Sequence, residues 1–223
     1  MVQDLKQVES DRAVILAGIS HDLRTPIARM MLEVEMAGLS DEARRGMQAD
    51  LSQMEAIIAQ FLDYARPAEP TSFTELDLSE TLKKIAAESS RHGDLQITMH
   101  IADGLRVRCN PTELQRVIIN LMENARRYGK TAQGKQTDME ITARHDGGQV
   151  MFEIADCGPG LPENQIDQVL RPFTRLDAAR SQANGAGLGL AIVDRVVQRH
   201  RGRLEIKNRE SGGLAVRIWL TTA

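Results

Sequence analysis

The sequence predicts an α+β chain of two domains. The first is an antiparallel helical hairpin that pairs with a second copy into a four-helix bundle, and the second is a mixed β-sheet with helices on one face. Three observations carry this. Apolar residues recur at steps of 3 and 4 over residues 1–66, the spacing of one helix face. Two prolines in Arg66-Pro67-Ala68-Glu69-Pro70 then stop the helix and stiffen a linker over 67–70. From residue 71 onward, short apolar runs bounded by glycine turns alternate with helical periodicity.

In the first domain the stripe runs Leu16, Ile19, Leu23, Ile27, Met30, Val34 and Ala37. Gly38-Leu39-Ser40-Asp41 breaks it, with Gly38 as C′ residue and Ser40 as N-cap of the next helix. The second helix repeats the stripe at Met47, Leu51, Met54, Ile58, Phe61 and Ala65. One such pair of helices buries too little surface to stand alone, so a homodimer is expected.

In the second domain, Ser79–Ser90 reads as a helix capped by Ser79, and Leu95–Ile101 and Leu105–Cys109 read as strands. Pro111–Tyr128 reads as a helix with Pro111 in its first turn. Met139–His145 and Gln149–Ala155 form a hairpin around Asp146-Gly147-Gly148. Leu188–Arg201 is a helix after a glycine-rich loop. Leu204–Lys207 and Leu214–Leu220 close the sheet.

Composition narrows the function. The formal net charge of −3 offers no basic field for nucleic acid. Residues 1–66 hold 7 Lys and Arg against 11 Asp and Glu, and residues 67–223 hold 21 against 20, so the two domains differ in charge as in pattern. Two cysteines, Cys109 and Cys157, without a C-x-x-C spacing exclude a disulfide framework and suit a reducing compartment. No apolar run approaches the roughly 20 residues that span a bilayer. The charged helical pattern starts abruptly after Met1, as in a piece cut from a membrane protein.

Five stretches carry chemistry. In His21-Asp22-Leu23-Arg24-Thr25-Pro26, Leu16 and Leu23 at heptad position a and Ile19 at d put His21 at the exposed position f. An exposed histidine beside an acid suits a nucleophile: Asp22 can accept from Nδ1–H and leave Nε2 free to attack phosphorus. The alternative is a solvated histidine beside a chance proline. Asn120 and Asn124 lie four apart on one helix face and offer neutral oxygens to Mg²⁺, or are ordinary surface residues. Asp156-Cys157-Gly158-Pro159-Gly160 ends a strand. Its aspartate can accept from the amine of adenine and its glycines let a flat base approach, though the same run is good turn chemistry. Gly185-Ala186-Gly187-Leu188-Gly189-Leu190 opens a helix and exposes backbone N–H groups to phosphate, without the P-loop pattern. Residues 176–184 read as a lid anchored by Pro172-Phe173, and Arg175 either reaches a terminal phosphate or is a solvated lid residue.

Each motif alone is equivocal, but their order is not. The succession His-Asp-Leu-Arg-Thr-Pro, Asn-x-x-x-Asn-Ala, Asp-x-Gly-Pro-Gly, Pro-Phe and Gly-x-Gly-Leu-Gly-Leu resembles the H, N, G1, F and G2 boxes of sensor histidine kinases, over nearly the whole chain. Asp11-Arg12 through Pro26, Arg127-Tyr128-Gly129 and Leu188-Gly189-Leu190-Ala191-Ile192-Val193 look like the EnvZ-type osmosensor kinases. The resemblance implies a phosphoacceptor bundle over 1–66 joined to a Bergerat-type ATP-binding sandwich over 71–223. It implies His21 as phosphoacceptor, Asp22 as its base or orienting partner and Thr25 as a positioner of water for dephosphorylating the regulator. It implies Asn120 and Asn124 at Mg-ATP, Asp156 at adenine and Tyr128 beside the base. Gly158, Gly160, Phe173, Arg175, Gly185, Gly187, Leu188 and Gly189 complete the nucleotide site. The partners it implies are a second copy and an OmpR-like response regulator, with membrane spans ahead of residue 1.

Two rivals are weaker. A topoisomerase or chaperone ATP domain leaves His21 unexplained, and a degenerate scaffold leaves five intact boxes unexplained. Cys157 takes a box position often filled by a polar residue and reads as an ordinary turn cysteine. Lys130–Asp138 is longer than the matching EnvZ-type loop.

Overall fold

The structure, a computed structural model, describes residues 18–19, 22–65, 73–91, 93–129, 137–174 and 186–223. They divide into a helical unit and a sheet-bearing unit.

The helical unit holds α1, described over 22–36, and α2, Asp41–Ala65. Gly38 takes φ +60°, the left-handed residue that ends α1. Ser40 caps α2, its Oγ accepting from Ala43 N at 3.3 Å. Ile27 and Val34 of α1 pack with Leu51 of α2, and Met31 and Ile58 flank them. Leu23, Met30, Met47 and Met54, from the same stripes, stay 39–50% exposed. The apolar stripe is therefore wider than one hairpin can cover.

The sheet-bearing unit runs β1 (Thr74–Asp77), α3 (Leu78–Ser90), β2 (Leu95–Ile101), β3 (Arg106–Cys109), α4 (Pro111–Tyr128), β4 (Thr137–Asp146), β5 (Gln149–Asp156), a 3₁₀ turn (Glu163–Gln168), α5 (Gly189–Arg199), β6 (Arg203–Asn208) and β7 (Leu214–Thr221). Five strands form one mixed sheet in the order β2-β4-β5-β7-β6, with β2 parallel to β4 and the other neighbours antiparallel. The β4–β5 turn uses Gly147 and Gly148 at φ +59° and +82°, which match the strand twist in a two-residue loop.

The two-layer architecture expected from the sequence is present, with several local corrections. Strand β1 was not foreseen; it pairs with β3 in a separate two-stranded sheet, because the polar run Thr74-Glu75-Leu76-Asp77 carries no strand signature. Ser79 does not cap α3. Asp77 does, accepting from Glu80 N at 3.1 Å. Ser79 is buried instead, donating to Ala102 O at 2.8 Å and accepting from Leu105 N at 3.0 Å. Helix α5 ends at Arg199 rather than Arg201, closed by Gly202 N donating to Val197 O and Arg201 N to Gln198 O.

The core lies between sheet and helices. Leu82 and Ile85 of α3, Val117, Ile118 and Leu121 of α4, and Ile192, Val193 and Val196 of α5 are buried with Ile141, Phe152, Ile154, Val216 and Ile218 of the sheet. Register puts Met139, Ile141 and Ala143 opposite Asp156, Ile154 and Phe152. Asp156 therefore points to the helical face at the end of its strand. The other face mixes charged pairs with apolar side chains: Arg217 pairs with Glu153 across β5–β7 and lies 3.6 Å from Glu205 of β6, beside the buried Met151 and Trp219. Arg203 stacks over the Trp219 ring at 3.6 Å.

Candidate functional site

Helix α4 builds the first wall. Asn110 caps it, accepting from Glu113 N at 3.0 Å, and Pro111 follows at its start. Leu114, Val117, Ile118, Leu121, Met122 and Ala125 fix its inner face in the core. Asn120 and Asn124 then share the neighbouring face one turn apart. Asn120 Nδ2 donates to Arg116 O at 2.9 Å, which turns its Oδ1 away from its own helix. The half-buried Asn124 side chain makes no hydrogen bond among the described residues. Tyr128 closes the row and is 44% exposed.

Strand β5 supplies the second wall. Asp156 is 7% exposed, and burial pushes its carboxyl above the usual carboxylate value, against the backbone N–H donors and Arg209. Gly158 N and Leu214 N donate to its Oδ1 at 2.9 and 3.2 Å. Its Oδ2 has no partner among the described residues. The loop after it touches the end of α4. A Cβ on Gly158 would lie 2.4 Å from Tyr128 O, and one on Gly129 would lie 2.6 Å from Asp156 Cβ. Gly160 takes φ +69° with its open side against Asn208 Oδ1. These glycines are required by close approach and by backbone conformation.

The start of α5 supplies the third wall. Gly187 takes φ +68°, Leu188 is fully buried, and Gly189 opens the helix. A Cβ on Gly189 would stand 3.5 Å from Asn120 Oδ1. The helix start, whose first N–H groups have no partner within the helix, thus sits beside the asparagine row, where an anion is favoured.

A buried acceptor with one oxygen unpartnered among the described residues, a row of amide oxygens and a helix N-terminus match the parts of a purine nucleotide polyphosphate. Among the described residues no three His, Cys, Asp or Glu side chains gather to hold a metal ion. Amide oxygens remain as donors for a hard divalent cation that takes its other ligands from phosphate and water.

The other expected site residues are placed as follows. Asp22 and Thr25 are exposed on α1. Phe173 is 57% exposed at φ +62°, just after the 3₁₀ turn. His21, Arg175, Gly185 and the lid over 176–184 lie outside the described residues, as does the loop over 130–136. Cys157 is half-buried with Arg209 Nη1 3.6 Å from its sulfur, whereas Cys109 is fully buried and its thiol is pushed up to about 11. Sequence reasoning missed the β6–β7 turn that frames Asp156. The local signal there is Gly212-Gly213, which marks a turn between two strands but not what the turn packs against.

Among the described residues no helix is long and apolar enough to cross a membrane. Residues 109–223 match the family of histidine kinase-, DNA gyrase B- and HSP90-like ATPases, and residues 11–70 match the His Kinase A (phospho-acceptor) domain. The chain is 30% identical to the sensor histidine kinase CpxA of Escherichia coli K12, across 99% of this chain and 49% of CpxA. It is 32% identical to the sensor histidine kinase GtrS of Pseudomonas aeruginosa, across 95% of this chain and 42% of GtrS. The chain thus spans about half the length of the curated relatives it matches. Full-length ShkA in complex with AMPPNP superposes with a TM-score of 0.74 at 24% identity, covering 95% of this chain and 47% of ShkA. The histidine kinase domain of the E. coli osmosensor EnvZ gives a TM-score of 0.50 at 32% identity, covering 70% of this chain and 93% of that domain.

Proposed function

This chain belongs to the histidine kinases, and from that premise we propose that it is the catalytic core of a dimeric sensor kinase, which phosphorylates His21 from Mg-ATP and passes the phosphoryl group to an aspartate of a response regulator. Residues 1–66 would be the phosphoacceptor and dimerisation hairpin, 67–70 the linker and 71–223 the ATP-binding domain. The parent protein would hold this core on the cytoplasmic side of a bacterial inner membrane.

The observation that carries the reading is the Asp156 carboxylate, buried on the helical face with Oδ2 unpartnered among the described residues and glycines packed on either side. Oδ2 would accept from the exocyclic amine of adenine, while Gly158 and Gly160 let the loop after β5 pack against the end of α4 and against Asn208, which holds that oxygen in place. Tyr128 would flank the base. Gly185, Gly187, Leu188 and Gly189 would present backbone N–H groups to the phosphates, and Phe173 and Arg175 would begin the lid. When bound, Mg²⁺ neutralises phosphate charge, and Asn120 and Asn124 would give it neutral oxygens. Phosphoryl transfer then needs in-line placement more than covalent machinery. Asp22 would orient the His21 imidazole so that Nε2 stays unprotonated.

The finer reading is an EnvZ-type kinase with an OmpR-like regulator, and it rests on the motif resemblance. Thr25 lies one helical turn after His21 in the sequence. It would orient the water that removes phosphate from the regulator, making the core bifunctional. A phosphotransfer profile against candidate regulators tests the partner.

Labelling with γ-phosphate-tagged ATP tests the central reading. Wild-type chain is expected to gain acid-labile, base-stable phosphate, and His21→Gln to gain none at unchanged ATP affinity. Label persisting on His21→Gln overturns the assignment. Thr25→Ala is expected to keep labelling and lose most decay of the phosphorylated regulator; equal decay rates reject its role.

A further inference from the structure

The turn between β6 and β7, residues 208–214, holds the Asp156 loop from several directions at once. Arg209 Nη1 donates to the Asp156 carbonyl oxygen at 3.1 Å and lies 3.6 Å from Cys157 Sγ. Its Nη2 donates to Glu140 Oε2 at 2.9 Å, which anchors the guanidinium to β4. Leu214 N reaches the Asp156 carboxylate itself. Gly213, at φ +100°, lies so close that a Cβ there would be 1.9 Å from Asp156 O. Asn208 accepts from the N–H of Leu161, two residues along the loop from Pro159, at 2.8 Å and donates to Leu161 O at 2.6 Å.

These contacts have a direction. The carboxylate is held by two backbone N–H groups on Oδ1 alone, one from its own loop and one from β7. Where Oδ2 points is thus set by the position of the Asp156 main chain relative to Leu214. Among the described residues, the side chain that holds that main chain is Arg209, and it is itself fixed by Glu140. A guanidinium fork in two hydrogen bonds is a stiffer brace than an ammonium.

We propose that Arg209, braced by Glu140, is a positioning residue that aims the Asp156 carboxylate and thereby sets selectivity for a 6-amino purine over a 6-oxo purine. The proposal rests on the reading of Asp156 as the adenine acceptor. A carboxylate oxygen aimed at position 6 accepts from the adenine amine and repels the carbonyl oxygen of hypoxanthine. A carboxylate allowed to swing loses both effects. On the same reading the triphosphate would meet Asn120, Asn124 and the start of α5, none of which hydrogen-bonds residues 208–214 among the described residues.

The test is calorimetric binding of ATP and of inosine triphosphate to the full chain, with Mg²⁺, alongside thermal unfolding. Wild type is expected to favour ATP by about tenfold or more, the scale of one good hydrogen bond against a buried unpaired acceptor. Arg209→Met and Arg209→Lys are each expected to cut that ratio about threefold or more, through weaker ATP binding at nearly constant inosine triphosphate binding. Glu140→Gln is expected to give a smaller cut in the same direction, and it serves where an Arg209 variant does not fold. An unchanged ratio in the folded variants overturns the proposal. So does an equal loss of both nucleotides, which marks a merely structural role. Asp156→Ala separates the two readings: if wild type shows no preference, or Asp156→Ala keeps it, the adenine assignment fails; if Asp156→Ala abolishes the preference and the Arg209 variants keep it, only the role of Arg209 fails.

Discussion

The imidazole of His200 accepts a hydrogen bond at 3.0 Å from the backbone N–H of Asn110, the residue that caps α4. The acceptor is Nε2, so the proton sits on Nδ1, which donates to Val196 O at 2.8 Å. The ring is buried and stands 4.8 Å from the ring of Phe73. Next to it, Arg199 pairs with Glu113 in the first turn of α4. One end of α5 is thereby pinned to the beginning of the helix that carries the asparagine row.

His200→Ala is expected to strand the Asn110 N–H and to leave a void beside Phe73. The expected loss is about 2–4 kcal/mol of stability in the sheet-bearing unit. Chemical denaturation followed by far-UV circular dichroism measures it. A loss within 0.5 kcal/mol, the size expected at an uninvolved surface position, refutes the coupling.

Arg201 follows α5 in the left-handed region at φ +52°, a conformation that costs a side-chain-bearing residue about 1 kcal/mol. It is exposed and in the position where helices most often place glycine. Arg201→Gly is therefore expected to stabilise the unit by up to about 1 kcal/mol, a rise of a few degrees in melting temperature. Gly202→Ala is expected to do the reverse, because a Cβ there would meet Trp219 O at 2.6 Å. A fall in melting temperature for Arg201→Gly contradicts the geometry.

The buried Asp156 carboxyl has a raised proton affinity, with burial as the main cause. Its contribution to folding stability is therefore fully present below the ordinary value of 3.8 and lost as pH rises through the higher folded value. Asp156→Asn removes this titration and keeps an oxygen for Gly158 N and Leu214 N. The variant is expected to be at least as stable as wild type at pH 7, with the advantage fading as pH falls toward 3.8. On the proposed reading ATP binding is expected to be lost at every pH, since the amide would present a donor where the adenine amine would need an acceptor. A variant that binds ATP like wild type refutes the role.

The stripes on α1 and α2 divide into two sets with different consequences. Ile27, Val34 and Leu51 are buried within one hairpin, whereas Met30 and Met54 are 39% and 47% exposed. Ile27→Ala is expected to cost about 2–4 kcal/mol of hairpin stability. Met54→Glu is expected to leave the hairpin packing intact and to dissociate the homodimer, read by light scattering at micromolar concentration. A Met54→Glu chain of unchanged mass in solution counts against dimerisation through this face.

The sequence by itself determined what local physics determines. The steps of 3 and 4 located α2 and the stripe of α1, and Pro111 set the start of α4. Gly147-Gly148 turned the β4–β5 hairpin, and the order of the motifs named the family before any contact was known. What the tertiary structure decided are choices between candidates that local sequence leaves equal. Asp77 and Ser79 are both good caps, and Ser79 was drawn away because its hydroxyl meets Ala102 O and Leu105 N across the core. The polar Thr74–Asp77 becomes a strand only because Arg106–Cys109 lies beside it. Arg209 carries no local signal of a role, and its hold on Asp156 follows from a strand pairing that joins residues 52 and 53 apart in the chain. Helix and turn signals act over a few residues, but the geometry of a carboxylate in a site is fixed by long-range contacts that no short window contains.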